Sequence, residues 1–246
     1  MDASADLPPR QPIYTSERAE QMGSSVHDTW VVIPLFNEEP VIGDVIAQVL
    51  TVFEQVVCVD DGSTDHSAEL ASRAGARVVR HPLNLGQGAA LQTGFEFALA
   101  DPSMQYVVTF DADGQHQIAD ALGMVERLRA GEADVVFGSR FLDERSKPSF
   151  AKNVVLRAAV GYTNITTHTR LTDAHNGLRA IRRPVLEMLN ITQNGMAHAS
   201  ELVAQIGALK ASYVEHPVHI LYTDYSKAKG QSLWNSINIL ADLILR

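Results

Sequence analysis

From residue 29 to residue 137, short apolar runs alternate with segments whose apolar residues recur at helical spacing. Trp30-Val31-Val32-Ile33 is the first run, closed by Pro34. Its unbroken apolar character suits a strand buried on both faces, as in a parallel sheet. Val41, Val45, Ile46, Val49, Leu50 and Phe53 then follow a helical period. Val56-Val57-Cys58-Val59, Arg77-Val78-Val79, Tyr106-Val107-Val108-Thr109-Phe110 and Val135-Val136-Phe137 predict four more strands. Helices are predicted between them over 64–74, 86–100 and 118–130. Strand and helix alternating over about 110 residues predict an α/β fold, a mostly parallel central sheet with helices on both faces. In such sheets ligands bind outside the carboxyl ends of the strands. Here those ends carry Asn37-Glu38, Asp60-Asp61, Asp111-Asp113 and Gly138-Ser139-Arg140. Four polar strand ends on one rim predict a site there.

The second half is less regular. A helix is expected within 150–168, a loop entering a strand over 173–179, a helix over 200–209 and a strand over 213–222. Residues 1–28, with Pro8, Pro9 and Pro12 among polar positions, predict a loose arm. Leu233, Trp234, Ile237, Leu240 and Ile244 share one helical face, so 233–246 reads as an amphipathic C-terminal helix. That face is a packing surface, or a dock for a membrane-protein partner or a homodimer mate.

Composition narrows the function. The 246 residues hold 20 Lys and Arg against 29 Asp and Glu, a formal net charge of −9. That balance argues against nucleic acid as a partner, because such binding rests on basic patches. An acidic chain that binds an anionic small molecule needs a cation to offset the charge. The one cysteine, Cys58, excludes an internal disulfide framework and a Cys-rich zinc site. No apolar run reaches 18 residues, and the first residues lack an apolar signal core. The expected location is the cytoplasm, with the inner membrane face as a peripheral station.

Asp111-Ala112-Asp113-Gly114-Gln115 places three oxygen-bearing side chains two apart, just past a strand. An extended turn can aim all three at one ion, and hard oxygen donors suit Mg²⁺ or Mn²⁺. Such ions commonly bridge to substrate phosphates. His116 is a further ligand or an acceptor-side contact. Asp60-Asp61-Gly62-Ser63-Thr64-Asp65 follows another strand; Ser63 or Thr64 suits a helix cap, and Asp61 suits the N–H and O–H donors of a nucleoside.

Together, Pro34-Leu35-Phe36-Asn37-Glu38-Glu39, Asp60 to Asp65, Asn84-Leu85-Gly86, Asp111 to Gln115 and Gly138-Ser139-Arg140 stand in the order typical of family 2 glycosyltransferases. The chain resembles the dolichyl- or polyprenyl-phosphate sugar synthase branch, over about residues 29–232. A soluble bacterial subgroup tied to polysaccharide assembly is the nearer likeness, through the stretches Asn194–Glu201 and Tyr225–Ser232. The resemblance implies a GT-A catalytic domain over 29–232. It implies a nucleotide-sugar pocket lined by Pro34, Phe36, Glu38, Val59 and Asp61, with Gly86, Asp111, Ala112 and Asp113. Asp111, Asp113 and Gln115 would hold the metal, and Arg140 would face a phosphate of donor or acceptor. Asp173-Ala174-His175-Asn176-Gly177-Leu178-Arg179 resembles the family's Asp…Gly-Phe-Arg segment, with Leu178 in place of Phe, and Asp173 and Arg179 would order the acceptor loop. In the tail, Lys227 replaces the branch's Arg and Leu233 its Lys, with Lys229 nearby as a substitute charge.

The implied reaction is inverting transfer of a sugar from a nucleoside diphosphate to a polyprenyl-phosphate or glycan acceptor. Arg140, Lys227 and Lys229 would stabilise charge on the phosphates. A phosphate acceptor needs no general base; a hydroxyl does, and Asp173 and Glu201 are the candidates, with His198 behind them. Three other readings compete. Gly86-Gln87-Gly88 hints at an NAD-dependent oxidoreductase, although Leu91 stands where the fingerprint needs a third glycine. A sugar nucleotidyltransferase would need a Gly-rich basic loop after the first strand. A catalytically inactive regulatory module that binds nucleotide-sugar is the last.

Overall fold

The structure is a computed structural model that describes residues 27–142, 160, 161, 163–167, 169–221 and 225. The chain runs β1 (Thr29–Leu35), α1 (Ile42–Val49), β2 (Gln55–Asp60), α2 (Ser67–Arg73), β3 (Arg77–Arg80), α3 (Gln87–Leu99), β4 (Tyr106–Thr109), α4 (Ile118–Arg129) and β5 (Val135–Ser139). After a 3₁₀ turn at Arg140–Leu142 come β6 (Arg179–Arg182), α5 (Arg183–Leu186), α6 (His198–Ala208) and β7 (Tyr213–Pro217). The seven strands form one sheet in the order β3-β2-β1-β4-β6-β5-β7.

Alternation along β1 explains its unbroken apolar run. Val31, Ile33 and Leu35 join α1 and α4 in one core. Trp30 and Val32 join α3, α5 and α6 in the other. A strand with helices on both faces has no wet side, so every position is apolar. Each such buried aliphatic side chain contributes about 1.5–3 kcal/mol.

β6 departs from the expected parallel sheet. It lies between β4 and β5 and runs antiparallel to both. Its four residues, Arg-Ala-Ile-Arg, hold only two apolar positions and carry little strand signal by themselves. Thr109 fixes the insertion: its hydroxyl donates to the Gly177 carbonyl at 2.5 Å and accepts from the Arg179 N–H at 3.1 Å.

The expected arm 1–28 lies outside the described residues except for His27 and Asp28. Asp28 is already part of the fold, because its carbonyl accepts the N–H groups of Gln105 and Tyr106. The C-terminal helix expected over 233–246 lies outside the described residues. Among the described residues, no helix is long and apolar enough to cross a membrane.

Candidate active site

Successive strands leave β1 in opposite directions, β2 on one side and β4 on the other, so the β1–β4 gap is the switch point of the sheet. Their ladder ends at Val32↔Thr109, with one further bond from the Phe110 N–H to the Val32 carbonyl. Pro34 follows, without an N–H to continue it. There the strands part over a cavity of about 360 Å³. β1 contributes Pro34 and Leu35 to its wall, the turn after it Phe36 and Glu38, and the turn after β4 Asp111, Ala112 and Asp113. Asp61, Asn84, Gly86, Gln87 and Ala90 close the other side.

The two carboxylates after β4 are unequal. Burial pushes the Asp111 carboxyl upward, but the His116 hydrogen bond and the charges of His116, Arg179 and His198 outweigh it and hold it below the usual range. His116 Nε2 stands 2.9 Å from Asp111 Oδ2, and Gln87 Nε2 donates to Oδ1 at 3.3 Å. Asp113 is raised to about 6, by burial first and then by the neighbouring Asp111 charge. Gln115, expected as a ligand, instead donates its side-chain amide to Asp113 Oδ2 at 2.7 Å and its backbone N–H to Oδ1 at 3.1 Å. It orients Asp113 from beneath and is absent from the cavity wall. Among the described residues, no group of three or more His, Cys, Asp and Glu side chains is arranged around a metal position.

At the other end, Asp61 accepts the N–H groups of Leu85 at 2.9 Å and Gly86 at 2.7 Å. Val59, expected on the pocket wall, is fully buried in the core beside Val57. It lies on the same face of β2 as Asp61 but one step deeper, and it is absent from the cavity wall. Ser63 and Thr64 do not cap α2. They stitch the turn after β1: the Asn37 N–H donates to Ser63 Oγ at 2.9 Å, and the Thr64 N–H to Asn37 Oδ1 at 2.9 Å. Asn37 holds a positive φ of 52° there, a conformation that Asn tolerates better than most residues.

The Gly86–Gly88 turn is closed to a dinucleotide. The Gly86 N–H is bound to Asp61, and the Gly88 N–H donates to the Asn194 carbonyl at 2.8 Å. A Cβ on Gly88 would overlap the Gln193 carbonyl oxygen. These glycines serve close backbone packing, not a pyrophosphate, which removes the basis of the oxidoreductase reading.

The expected bases are already engaged. Asp173 is 1% exposed, and its Oδ2 accepts the Arg140 Nε–H at 2.6 Å. Arg140, not Arg179, is therefore its ion-pair partner. Arg179 is likewise 1% exposed, and its Nε makes no hydrogen bond. Glu201 accepts both the N–H and the hydroxyl of Thr192, at 3.0 and 2.6 Å, and the Gln193 N–H at 2.8 Å. Neither Asp173 nor Glu201 lines the cavity. Lys227 and Lys229 lie outside the described residues. Gln87 and Asn84 are cavity residues that the sequence reading did not assign. Gln87 was legible only as part of the glycine turn.

Two histidines beneath the site carry a pH dependence. Burial, opposed by Asp173 and aided by Arg179 and Arg140, lowers His175 to about 4. Burial and then the Arg179 charge lower His198 to about 4. Both are neutral when folded and take up protons on unfolding below the usual value of 6.5. Their stabilising contribution is complete above pH 6.5 and is lost as pH falls toward 4. Urea unfolding across that window should show stability falling by up to about 3 kcal/mol for each histidine. His198→Gln should flatten the profile; an unchanged profile in that variant refutes the assignment.

Comparison with known proteins follows the same lines. Residues 30–189 match the family model described as Glycosyl transferase family 2. An uncharacterized protein of Methanocaldococcus jannaschii is 32% identical over 228 residues, covering 89% of this chain and 92% of its own. A UDP-N-acetylglucosamine–dolichyl-phosphate N-acetylglucosaminyltransferase of Methanococcus voltae is 26% identical over 242 residues, 88% of this chain and 94% of its own. Among solved structures, glucosyl-3-phosphoglycerate synthase of Mycobacterium tuberculosis, in complex with Mn²⁺ and uridine-diphosphate-glucose, superposes with a TM-score of 0.67. That match covers 96% of this chain and 82% of the other at 21% identity, a likeness of fold alone.

Proposed function

The chain belongs to glycosyl transferase family 2, and on that premise we propose that it moves a sugar, with inversion, from a nucleoside diphosphate to the phosphate of a polyprenyl lipid. One observation carries the reading: one cavity at the β1–β4 switch point is lined by both Asp61 and the Asp111–Asp113 pair. They follow β2 and β4, which flank β1. Strands lie about 4.8 Å apart, so the ends of β2 and β4 stand roughly 10 Å from each other across β1.

The donor set fits a divalent cation. Two carboxylates share one rim, and Asp111 raises Asp113 by repulsion. Mg²⁺ is typically held by one or two carboxylates and completed by water and substrate phosphates, and Mn²⁺ accepts the same oxygens. Asp111 and Asp113 would hold it; when bound, it neutralises charge building on the leaving diphosphate. His116 and Gln87 keep Asp111 in place, and Gln115 does so for Asp113.

The acceptor reading follows from the bases. A sugar hydroxyl must lose its proton to a carboxylate in reach, and both candidates are committed elsewhere. A phosphate monoester, with a second pKa near 6, is already mostly ionised at pH 7 and asks for cations instead. Tyr225 donates its hydroxyl to Glu38 Oε2 at 2.8 Å on the cavity wall. Lys227 and Lys229 follow two and four positions later in the sequence. They are the proposed charges for the acceptor phosphate. Lipid-bound acceptor would bring the protein to a membrane surface, with 233–246 as the proposed dock.

The test is transfer from a panel of nucleoside-diphosphate sugars, with Mn²⁺, to vesicles carrying undecaprenyl phosphate. Release of nucleoside diphosphate should depend on the lipid phosphate. Release driven equally well by a soluble glycan, with no response to the lipid, sinks the acceptor assignment. In melting experiments, a nucleoside diphosphate at 100 times its dissociation constant should stabilise the fold by about 2.7 kcal/mol.

A further inference from the structure

The Asp61 carboxylate is held on more sides than a simple pocket residue requires. An ionised carboxylate offers about four lone-pair sites, two on each oxygen. On Oδ1, one accepts the Leu85 N–H at 2.9 Å, and a second faces His81 Nδ1 at 2.8 Å. On Oδ2, one accepts the Gly86 N–H at 2.7 Å. Oδ1 is therefore full, and one site remains on Oδ2.

His81 makes that arrangement rigid. A carboxylate only accepts, so Nδ1 carries the proton that joins the two side chains. The other ring nitrogen, Nε2, stands 3.0 Å from Thr93 Oγ1 on α3. The His81 backbone N–H donates to the Asp60 carbonyl at 2.9 Å, which pins the residue just beyond β3. The ring is thus fixed at both nitrogens and at its backbone. Its side chain is 9% exposed and that of Asp61 4%, so water does not substitute freely for either partner. His81 is absent from the cavity wall, whereas Asp61 is on it.

We infer that His81, braced by Thr93, is a positioning residue that leaves Asp61 a single acceptor site for the nucleobase, and that this geometry selects uracil over guanine. The inference rests on the nucleotide reading of the cavity. Uracil presents one ring N–H between two carbonyls, which matches one vacant lone pair. Guanine presents two adjacent donors that ask for both carboxylate oxygens, and Oδ1 is already filled. One guanine donor would be buried without a partner, which costs about 1–3 kcal/mol, or roughly 10- to 100-fold in affinity.

Calorimetric titration of UDP, GDP and Mn²⁺-pyrophosphate tests this in the wild type and in His81→Leu, His81→Asn and Thr93→Val. Pyrophosphate reports on the Asp111–Asp113 end alone. The wild type should bind UDP at least about 10-fold more tightly than GDP. His81→Leu should weaken UDP by roughly 10- to 100-fold and erase the preference, with pyrophosphate binding unchanged. His81→Asn keeps a donor near the Nδ1 position and should rescue most of the loss. Thr93→Val, nearly the same shape, should fall between the two. The inference is overturned if the wild type binds GDP as tightly as UDP, if His81→Leu binds UDP as the wild type does, or if UDP and pyrophosphate weaken together. A wild type that binds none of the three ligands removes the nucleotide site itself, and the inference with it.

Discussion

Asp113→Asn should abolish metal-dependent nucleotide binding and, in the absence of metal, melt no lower than the wild type. The two halves have one cause. Asp111 and Asp113 share the rim of the cavity, and burial with the Asp111 charge raises Asp113 to about 6. A carboxyl raised in the folded state favours folding fully below its unfolded value of 3.8 and loses that contribution as pH rises through about 6. At pH 8 its ionisation therefore works against the fold, by about 1–3 kcal/mol. Asparagine removes the charge and keeps an oxygen for the Gln115 backbone N–H, while its new Nδ2–H can donate to the Gln115 side-chain oxygen once that amide flips. Melting in EDTA at pH 8 should show the variant equal to or above the wild type. The same substitution removes a hard anionic donor from the proposed cation site. Transfer should then fall by several kcal/mol of barrier, roughly 10³-fold. The Mn²⁺-dependent rise in melting temperature with a nucleoside diphosphate should vanish. A variant that keeps that rise shows that the cation is held elsewhere.

This opposition between stability and proposed function tells why part of the site was legible in the sequence. Adjacent carboxylates at a strand end are unfavourable for folding, so Asp111-Ala112-Asp113 stands out against an apolar strand as a feature that stability does not explain. The same reasoning picked out Asp61. Pro34 and Phe36 were placed on the wall through the family resemblance, with Pro34 also legible as the end of the first apolar run. Val59 shares its face of the strand with Asp61 but lies one step deeper, in the core beside Val57, a depth that the motif by itself does not reveal. β6 carried too few apolar residues to reveal its position between β4 and β5, since the contact that sets it, from Thr109 to Gly177 and Arg179, spans about 70 positions. Asp173 was read with Arg179 as ordering the acceptor loop, and its own ion partner was not legible. Only the fold says that Arg140, 33 residues away, reaches it before Arg179 does. Glu201 looked like a base because nothing in the local pattern reveals that the Thr192–Gln193 backbone needs an acceptor.

Gly177→Ala should damage the fold and the site together. A Cβ at this position would overlap Asp111 Oδ2 and stand 2.7 Å from both Cγ and Oδ1 of that carboxylate. Neither side can yield easily. The Gly177 carbonyl is held by Thr109 Oγ1 at 2.5 Å, and Asp111 is held by His116 Nε2 at 2.9 Å. Overpacking of this kind typically costs 1–3 kcal/mol, about 3 here given two fixed partners. If Asp111 gives way, it leaves His116 and the cation position together, and transfer should fall by at least about 100-fold. Gly43→Ala is the contrast: the site is in α1 with open space around its Cβ, so the change should stabilise by up to about 1 kcal/mol and leave transfer intact. The decisive comparison is Gly177→Ala combined with Asp111→Ala. Removing the carboxylate makes room for the methyl, so Gly177→Ala should cost little further stability in the Asp111→Ala background, while the pair stays inactive. Stability and activity then separate, which neither a folding defect nor a distant effect on the cavity can produce. A Gly177→Ala change that costs as much beside Asp111→Ala as it does alone refutes the proposed contact, and a double variant that regains transfer removes Asp111 from the chemistry.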